Sequence, residues 1–304
     1  MSILTNIWPQ IINAHHALGR SMPEQARADF MALAAKFSVE PGRIFHFVYV
    51  VENFDPNALS VAAYQRRDPF DAPQVVQGHF DLWQKLGWIE TAVSPTTYRI
   101  TNTGHDIRQQ RWQITNHYMP QVTTQLTIEW DKLFRLLTQV VKQTTQATYA
   151  PAKHNFNTRQ TFGLKPPHPI SKPMQLIEFR MDLGAYRDDV HLTAWQEVAT
   201  DISSQAWEAL TLLWNGTATG LDGVADTLSR RGYTKANYAA AVQGLVEKGL
   251  VEETAVSLTV TPTGKTLRDK AESLTNKYFY TPWQISTNEI TFLATQLNNL
   301  QQSP

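Results

Sequence analysis

The chain has 304 residues, 42% of them hydrophobic, which is enough for about two domains with sizeable cores. Its 27 basic residues balance 27 acidic ones, whereas nucleic-acid binders usually carry a basic excess. The absence of cysteine excludes disulfides, cysteine-ligated zinc, iron–sulfur clusters and thiol nucleophiles. No apolar run has the length of a transmembrane helix, and the N-terminus lacks the pattern of a signal peptide. We therefore expect a cytoplasmic protein with no membrane partner.

The N-terminal part of the chain is predicted to be helical. Apolar residues at three- and four-residue spacing predict one helix from Ile3 to Leu18 and another from Pro23 to about Phe37. The run RIFHFVYVVENF, residues 43–54, is apolar enough to be a buried helix or a buried strand. We assign it to a helix because helices are predicted on both sides.

The next segment has the order of a winged helix-turn-helix. A short helix is predicted to end at Arg66-Arg67-Asp68-Pro69, and Asp71 is expected to cap a second helix that Gly87 ends. Two short strands, Trp88-Ile89-Glu90 and Tyr98-Arg99-Ile100, then form a hairpin. Helix, helix and hairpin in this order are typical of winged-helix proteins.

A later segment repeats this order. Helices are predicted from Ala206 to Trp214, from Leu221 to Ser229 and after a capping Thr234, and a hairpin follows Gly249. Each hairpin leads into a similar sequence, ITNTGHDIRQQRWQITNHYM at residues 100–119 and VTPTGKTLRDKAESLTNKYF at residues 260–279. These two stretches share seven identical residues in a gapless alignment, which indicates a duplicated supersecondary unit.

These elements predict a fold that is mainly α with small β-hairpins: a tandem winged helix-turn-helix pseudo-dimer plus helical segments. The predicted organisation is an N-terminal helical segment at 1–58, a first winged-helix unit at 59–121, linking helices and a proline-rich loop at 122–200, a second winged-helix unit at 201–284 and a C-terminal helix or tail at 285–304. Within the linking segment we expect one long helix from Val122 to Thr148, mainly loop from Ala150 to Pro173, and a helix from Met174 to Val198. Because both units are in one chain, a monomer is expected, with a homodimer as the alternative.

The basic residues near the two second helices are candidate contacts to duplex DNA, through phosphates or base edges. The candidates are Arg66, Arg67, His79, Lys85, Arg230, Arg231 and Lys235. The alternative is that the winged helices serve as packing or pocket scaffolds. Residues 203–280 contain eight basic and eight acidic residues, which keeps this alternative open.

The stretch Arg187-Asp188-Asp189-Val190-His191 is the densest charged cluster on any predicted helix. Arg187, Asp188 and His191 share a helix face, so they can face a pocket or form a solvated salt-bridged surface. The candidate residues for a small-molecule pocket are Tyr64, Arg66, Arg187, Asp188, His191 and Trp195. A metal site needs three or four ligands, and only Asp188 and His191 are close in sequence. No common catalytic or phosphate-binding signature occurs, so no catalytic residue, metal or cofactor is assigned.

The order of these motifs resembles a SalK-like, actinobacterial helix-turn-helix family of tandem winged-helix proteins, which often carry a MarR-like label. Arg66-Arg67-Asp68-Pro69 is similar to its R-x-x-P stretch, and residues 187–191 are similar to its R-G-D-x-H segment, with Asp188 in place of a small residue. The second winged helix matches at Arg231-Gly232, Ala241, Leu245, Lys248-Gly249-Leu250, Thr261, Gly264, Arg268, Glu272, Thr275 and Pro282-Trp283, while Asn276 replaces the usual aspartate. The resemblance implies a fold of two winged-helix units and implies no reaction.

Two functions are therefore expected. The first is a winged-helix DNA-binding protein, a MarR-like transcriptional regulator whose affinity responds to a small ligand. The alternative is a winged-helix scaffold that forms a small-molecule pocket centred on Arg66 and His191, as a binder or a cofactor-poor enzyme, without DNA binding.

Overall fold

The computed structural model describes residues 3–122, 126–148, 153–163, 170–254 and 257–302. Over these residues the protein is mainly helical, with two small antiparallel strand pairs. The elements in chain order are α1 Ile7–Arg20, α2 Glu24–Ala35, α3 Pro41–Asn53, α4 Val61–Arg67, α5 Pro73–Lys85, β1 Ile89–Thr91, β2 Tyr98–Ile100, α6 Asn102–Tyr118, α7 Trp130–Gln146, α8 His154–Phe162, α9 Lys172–Val198, α10 Ser204–Trp214, α11 Leu221–Thr227, α12 Lys235–Glu247, β3 Val251–Glu253, β4 Leu258–Val260, α13 Pro262–Tyr280 and α14 Thr287–Gln301. None of the described helices combines the length and the apolar composition that crossing a membrane requires.

The chain forms two compact units. Unit 1 consists of Met1–Leu59, Trp83–Asp188 and Tyr278–Pro304, and unit 2 consists of Ser60–Leu82 and Asp189–Lys277. Helices α5, α9 and α13 contribute residues to both units.

Unit 1 is built around long helices. Helix α1 packs along α14, and α6 packs against α2 and α3. Phe47 of α3 contacts the rings of Trp83 and Trp88 at centroid distances of 5.3 and 5.0 Å. The strand pair β1–β2, with Ile89 opposite Ile100, follows Gly87, whose φ of 71° ends the preceding helix as expected.

Unit 2 contains a helix–helix–hairpin arrangement. Its core holds the apolar faces of α10, α11 and α12, including Trp207, Val224 and Tyr238. Thr234 caps α12 in a reciprocal pair with Asn237, which confirms the expected cap. The strand pair β3–β4 follows Gly249, where φ is 67°.

The two similar stretches begin in the same way locally. Thr101 and Thr261 each cap the following helix through the N–H of Gly104 and Gly264, and each donates to a carbonyl of the glycine before the hairpin. A Cβ on either helical glycine would collide with a backbone carbonyl oxygen, of Trp88 or Leu250. The shared T-x-T-G sequence therefore encodes a capped turn in which the helix approaches the hairpin backbone closely.

Several sequence predictions need correction. The helix expected from Val122 to Thr148 is shorter, because α7 begins only at Trp130. Residues 123–125 lie outside the described part of the chain, and Leu126, expected inside, is 39% exposed. The residues just before α7, including Thr127 and Ile128, are β-branched and lower the helix propensity. The side-chain oxygen of Gln296 accepts the N–H of Glu129 at this new start.

Two further expectations differ from the structure. Asp71 does not occupy the cap position of α5, because that helix begins at Pro73 and the carboxylate of Asp71 binds other side chains. The segment Ala150–Pro173 was expected to be mainly loop, but it contains α8, which buries Phe156 and Arg159. Residues 150–152 and 164–169 of that segment lie outside the described part of the chain.

Candidate functional site

Helix α12 presents a small, polar outer face. Its buried side carries Tyr238, Val242 and Leu245. The exposed side carries Lys235, Ala236, Asn237, Ala240, Gln243 and Glu247. An outer face with little bulk lets a helix approach a groove closely, and its amide and ammonium groups can bind base edges and phosphates.

The charges around α12 are mixed. Lys235 pairs with Asp222 of α11, which raises the pKa of Lys235. Arg230 is exposed in the turn before α12, while Glu252 and Glu253 are exposed on β3. The surface near this helix therefore offers cations at the start of α12 and carboxylates at the hairpin.

Arg231 is held by three carboxylates within unit 2. Its Nη1 donates to Asp68 at 3.1 Å and to Asp71 at 2.8 Å, and its Nη2 donates to Glu208 at 2.6 Å. Burial opposes the charged form of Arg231, but the three carboxylates hold its pKa above the ordinary value. Burial also raises the pKa of Asp68 and of Glu208. This cluster joins the residues before α5 to α10 and to the turn before α12.

The main chain reinforces this connection. The N–H of Ala72 donates to the carbonyl of Arg231 at 2.8 Å. Gly232 follows with a φ of 80°, and a Cβ there would collide with Val75 of α5. The Arg-Arg-Gly sequence thus combines one exposed arginine, one ion-paired arginine and a left-handed glycine.

The predicted DNA contacts fall into different environments. Arg66, Lys85, Arg230 and Lys235 are exposed, and His79 is half-buried. Arg67 is only 6% exposed, and Arg231 is enclosed by its carboxylates. Lys85 belongs to unit 1 and the others belong to unit 2. Each basic pair thus has one exposed member, Arg66 or Arg230.

The residues predicted to line a pocket are also divided. Arg187 and Asp188 belong to unit 1, where the Arg187 guanidinium lies 5.2 Å from the ring centroid of Phe279. Tyr64, Arg66, His191 and Trp195 belong to unit 2. Tyr64 donates its hydroxyl to Asp71 at 3.0 Å, so it is connected to the Arg231 cluster.

Trp195 of α9, also predicted to line a pocket, lies in the core of unit 2. Its ring stacks on Trp207 at 6.0 Å and contacts Phe70 at 5.6 Å.

A buried ion network in unit 1 was missed by the sequence reasoning. Glu52 accepts from Arg108, from the indole of Trp112 at 3.2 Å and from Arg159 at 2.8 Å. Arg159 also donates to Glu178 at 2.5 Å and to Asp182 at 3.2 Å. These partners come from four separate helices. One feature of the sequence pointed to this network: Arg108 is one of the seven residues shared by the two similar stretches.

Unit 1 also has a groove that none of the predicted pocket residues lines. This groove has a volume of about 740 Å³ and is lined by Arg20, Arg27, Phe30, Met31 and Phe45, among others. Among the residues with described positions, no three histidine, aspartate or glutamate side chains are grouped to hold a metal ion.

Comparison with known proteins gives one match, in the C-terminal part of the chain. Residues 174–303 match a helix-turn-helix family. The matched stretch contains α10, α11, α12, the β3–β4 pair and α13. No curated protein and no solved structure matches the chain. The helix-turn-helix assignment thus falls on the same elements that carry the helix–helix–hairpin order.

Proposed function

We propose that the protein is a winged-helix DNA-binding protein that acts as a transcriptional regulator, with α12 as its recognition helix. One observation carries this proposal. Within the stretch that matches the helix-turn-helix family, α12 follows α11 through a tight turn, precedes a β-hairpin and has an exposed polar face. In winged-helix proteins the second helix of the motif enters the major groove.

The residues of α12 have separate proposed roles. Lys235, in the first turn of the helix, and the neighbouring Arg230 would contact phosphates, aided by the positive end of the helix dipole. Gln243 faces outward about two turns later, where an amide side chain can read the edge of adenine. The exposed carboxylates of Glu252 and Glu253 would keep the hairpin away from phosphates. Affinity is thus expected to be modest and concentrated at α12.

Arg231 has a different proposed role. Because Arg231 is neutralised by Asp68, Asp71 and Glu208, a phosphate would have to compete with three carboxylates for its guanidinium. We propose that it fixes the start of α12, while the exposed Arg66 and Arg230 remain the candidate phosphate contacts. His79 and Lys85 on α5 would belong to the first winged-helix unit.

We infer that the two helix–helix–hairpin segments arose by internal duplication and form a MarR-like pseudo-dimer. Seven shared residues and the matching Thr–Gly turns support this inference. The aligned stretches differ at His105 and Lys265 and at Trp112 and Glu272. A DNA site with strict twofold symmetry is therefore not expected.

One observation favours the alternative of a winged-helix scaffold that does not bind DNA. From α11 to β3 five exposed acidic residues outnumber three exposed cations: Asp222, Asp226, Glu247, Glu252 and Glu253 against Arg230, Lys235 and Lys248. A scaffold of this kind would use its interior for a small-molecule ligand. The two functions make opposite predictions for DNA binding.

A fluorescence polarisation titration with mixed-sequence duplex DNA separates them. The proposal predicts binding at low salt that weakens steeply as salt is added, because phosphate contacts release counterions. The same duplex titrated with bovine serum albumin controls for unspecific adsorption. No binding at about tens of micromolar protein would favour the scaffold, since non-specific DNA binders reach that range.

A further inference from the structure

Arg268 of α13 is a buried cation held between two indole rings of unit 2. Arg268 is 2% exposed, and its guanidinium lies 4.5 Å from the ring centroid of Trp207 and 4.8 Å from that of Trp214. Its Nε and Nη1 atoms are buried and have no hydrogen-bond partner among the residues that the structure describes. The faces of the indole rings stabilise the charge of the arginine. They do not accept its N–H groups, which point outward in the plane of the guanidinium.

Two more unsatisfied donors belong to Trp207, which contacts Arg268, and to Trp195, which stacks on Trp207. The indole Nε1 atoms of Trp207 and Trp195 are also buried without a partner among the described residues, and their rings stack at 6.0 Å. All four of these unsatisfied atoms are hydrogen-bond donors. A group of donors requires an acceptor, and a cation among them favours an acceptor that is an anion.

The acidic residues nearest to Arg268 do not supply this acceptor. Asp269 accepts from the indole of Trp214 at 2.9 Å and from Lys265 at 2.5 Å. Glu272 accepts from Asn276 at 3.4 Å. Burial lowers the pKa of Arg268, and the charges of Glu272 and Asp269 oppose this shift only in part. A buried charged donor without an acceptor destabilises a protein more than a neutral one does.

The first of the two similar stretches shows which partner such an arginine takes. Arg108 aligns with Arg268 and is also buried, at 7% exposure. Its Nε donates to the carboxylate of Glu52, and the same carboxylate oxygen accepts the indole N–H of Trp112 at 3.2 Å. An arginine and an indole thus converge on one carboxylate in unit 1. In unit 2 the arginine and the indole donors are present, but the described residues supply no carboxylate to them.

We propose that Arg268, with the indole N–H of Trp207, forms a binding site for the carboxylate of a small organic acid. The carboxylate accepts from the Nε and Nη1 atoms of Arg268, and the indole rings flank its apolar part. Trp195 offers one more donor along the stack. Trp214 is only half-buried, so the ligand enters past its ring. The site is contained in unit 2 and does not depend on DNA binding.

The test is an NMR titration of the full chain with ¹³C-labelled acetate, at constant ionic strength maintained with sodium chloride. The proposal predicts line broadening of acetate that saturates and is displaced by unlabelled acetate. Arg268→Gln is predicted to abolish it. No saturable broadening with the wild-type chain would overturn the proposal.

A second variant places a carboxylate inside the site. Thr211 lies four residues after Trp207 and three before Trp214 on α10, so it shares their face. Thr211→Glu is predicted to occupy Arg268 in the manner of Glu52 and to weaken acetate binding by at least about tenfold, the loss of one charged hydrogen bond. Thr211→Met, of similar length without a carboxylate, is predicted to retain binding. Unchanged binding in a Thr211→Glu chain with native circular dichroism would also overturn the proposal.

Discussion

At the scale of single residues, Arg230 and Arg231 show that two identical neighbouring residues can have different environments. Arg230 is exposed, whereas its neighbour Arg231 donates to Asp68, Asp71 and Glu208. The sequence shows both arginines as equivalent candidates for phosphate. Only the folded chain shows the difference, because two of the three carboxylates lie about 160 positions earlier in sequence.

Replacing Arg231 is predicted to destabilise unit 2. Arg231→Met leaves three partly buried carboxylates without their cation, which costs about 3 kcal/mol or more. The free energy of unfolding from urea titrations measures this effect. Arg230→Met is the matched control and is expected to stay within about 0.5 kcal/mol of wild type. Equal stabilities of the two variants would contradict the assigned role of the carboxylate cluster.

His15 is predicted to make unit 1 sensitive to acid. Burial and the nearby charges of Arg180, His16 and Arg111 lower the pKa of His15 from 6.5 to about 4. Below pH 6.5 His15 binds a proton in the unfolded chain but not in the folded chain. The free energy of unfolding therefore falls as the pH drops from 6.5 towards 4. The slope from this group reaches at most about 1.4 kcal/mol per pH unit.

Urea titrations across this pH range test the His15 prediction. The stability of His15→Gln relative to wild type is expected to improve as the pH falls from 6.5 to 4. Asn13→Gln, at an exposed and uncharged position of the same helix, is expected to keep the wild-type slope. A constant difference between His15→Gln and wild type across the range would show that His15 has the same pKa in the folded and unfolded chains, and would contradict the prediction.

At the scale of elements, the T-x-T-G turn is the best example of sequence determining structure. Thr261 caps α13 through the N–H of Gly264, and the missing side chain of Gly264 lets the helix approach the carbonyl of Leu250. The same geometry recurs at Thr101 and Gly104. Local chemistry defines both turns, and for this reason the sequence pattern predicted them.

Gly264→Ala is predicted to destabilise the protein, because the new methyl group would force α13 away from the hairpin. A loss of about 1–3 kcal/mol is expected, as for other overpacked sites. Gly244→Ala is the control, for which a change in stability of opposite sign is expected. Gly244 lies inside α12 with no atom near its Cβ position, so alanine is expected to stabilise by about 0.5–1 kcal/mol. Thermal unfolding measures both; stabilisation by Gly264→Ala would refute the close-approach argument.

Other elements were less predictable because distant contacts decide them. Helix α8 forms within a proline-rich stretch, where Arg159 binds Glu52, Glu178 and Asp182. The start of α7 at Trp130 depends partly on Gln296. Periodicity and capping residues therefore predicted most helices and both hairpins. Helix α8 and the start of α7, by contrast, depend on contacts made by residues far apart in sequence.

At the scale of the whole molecule, unit 2 combines two stretches that are far apart in sequence. Residues Ser60–Leu82 belong to unit 2 together with Asp189–Lys277. The Arg231 cluster and the Ala72 N–H bond are contacts of this kind within unit 2. Contacts over such separations leave no periodic pattern, so the sequence predicted the helix–helix–hairpin order but not this grouping.

The proposed function at this scale depends on where charge is exposed rather than on net charge. Basic and acidic residues are equal in number, 27 each, so DNA binding would have to come from a local surface. The helix-turn-helix match covers residues 174–303, and for this reason we propose that the surface lies in the C-terminal part of the chain. Helix α12 is its most suitable element.

Duplex DNA binding by two matched lysine variants tests this central claim most directly. Lys235 on α12 and Lys265 on α13 are both exposed, and each pairs with one aspartate, Asp222 or Asp269. If α12 is the recognition helix, Lys235→Glu weakens DNA binding at least about tenfold at low salt, whereas Lys265→Glu changes it by less than about twofold. Equal effects of the two variants, or no DNA binding by the wild-type chain, would contradict the account.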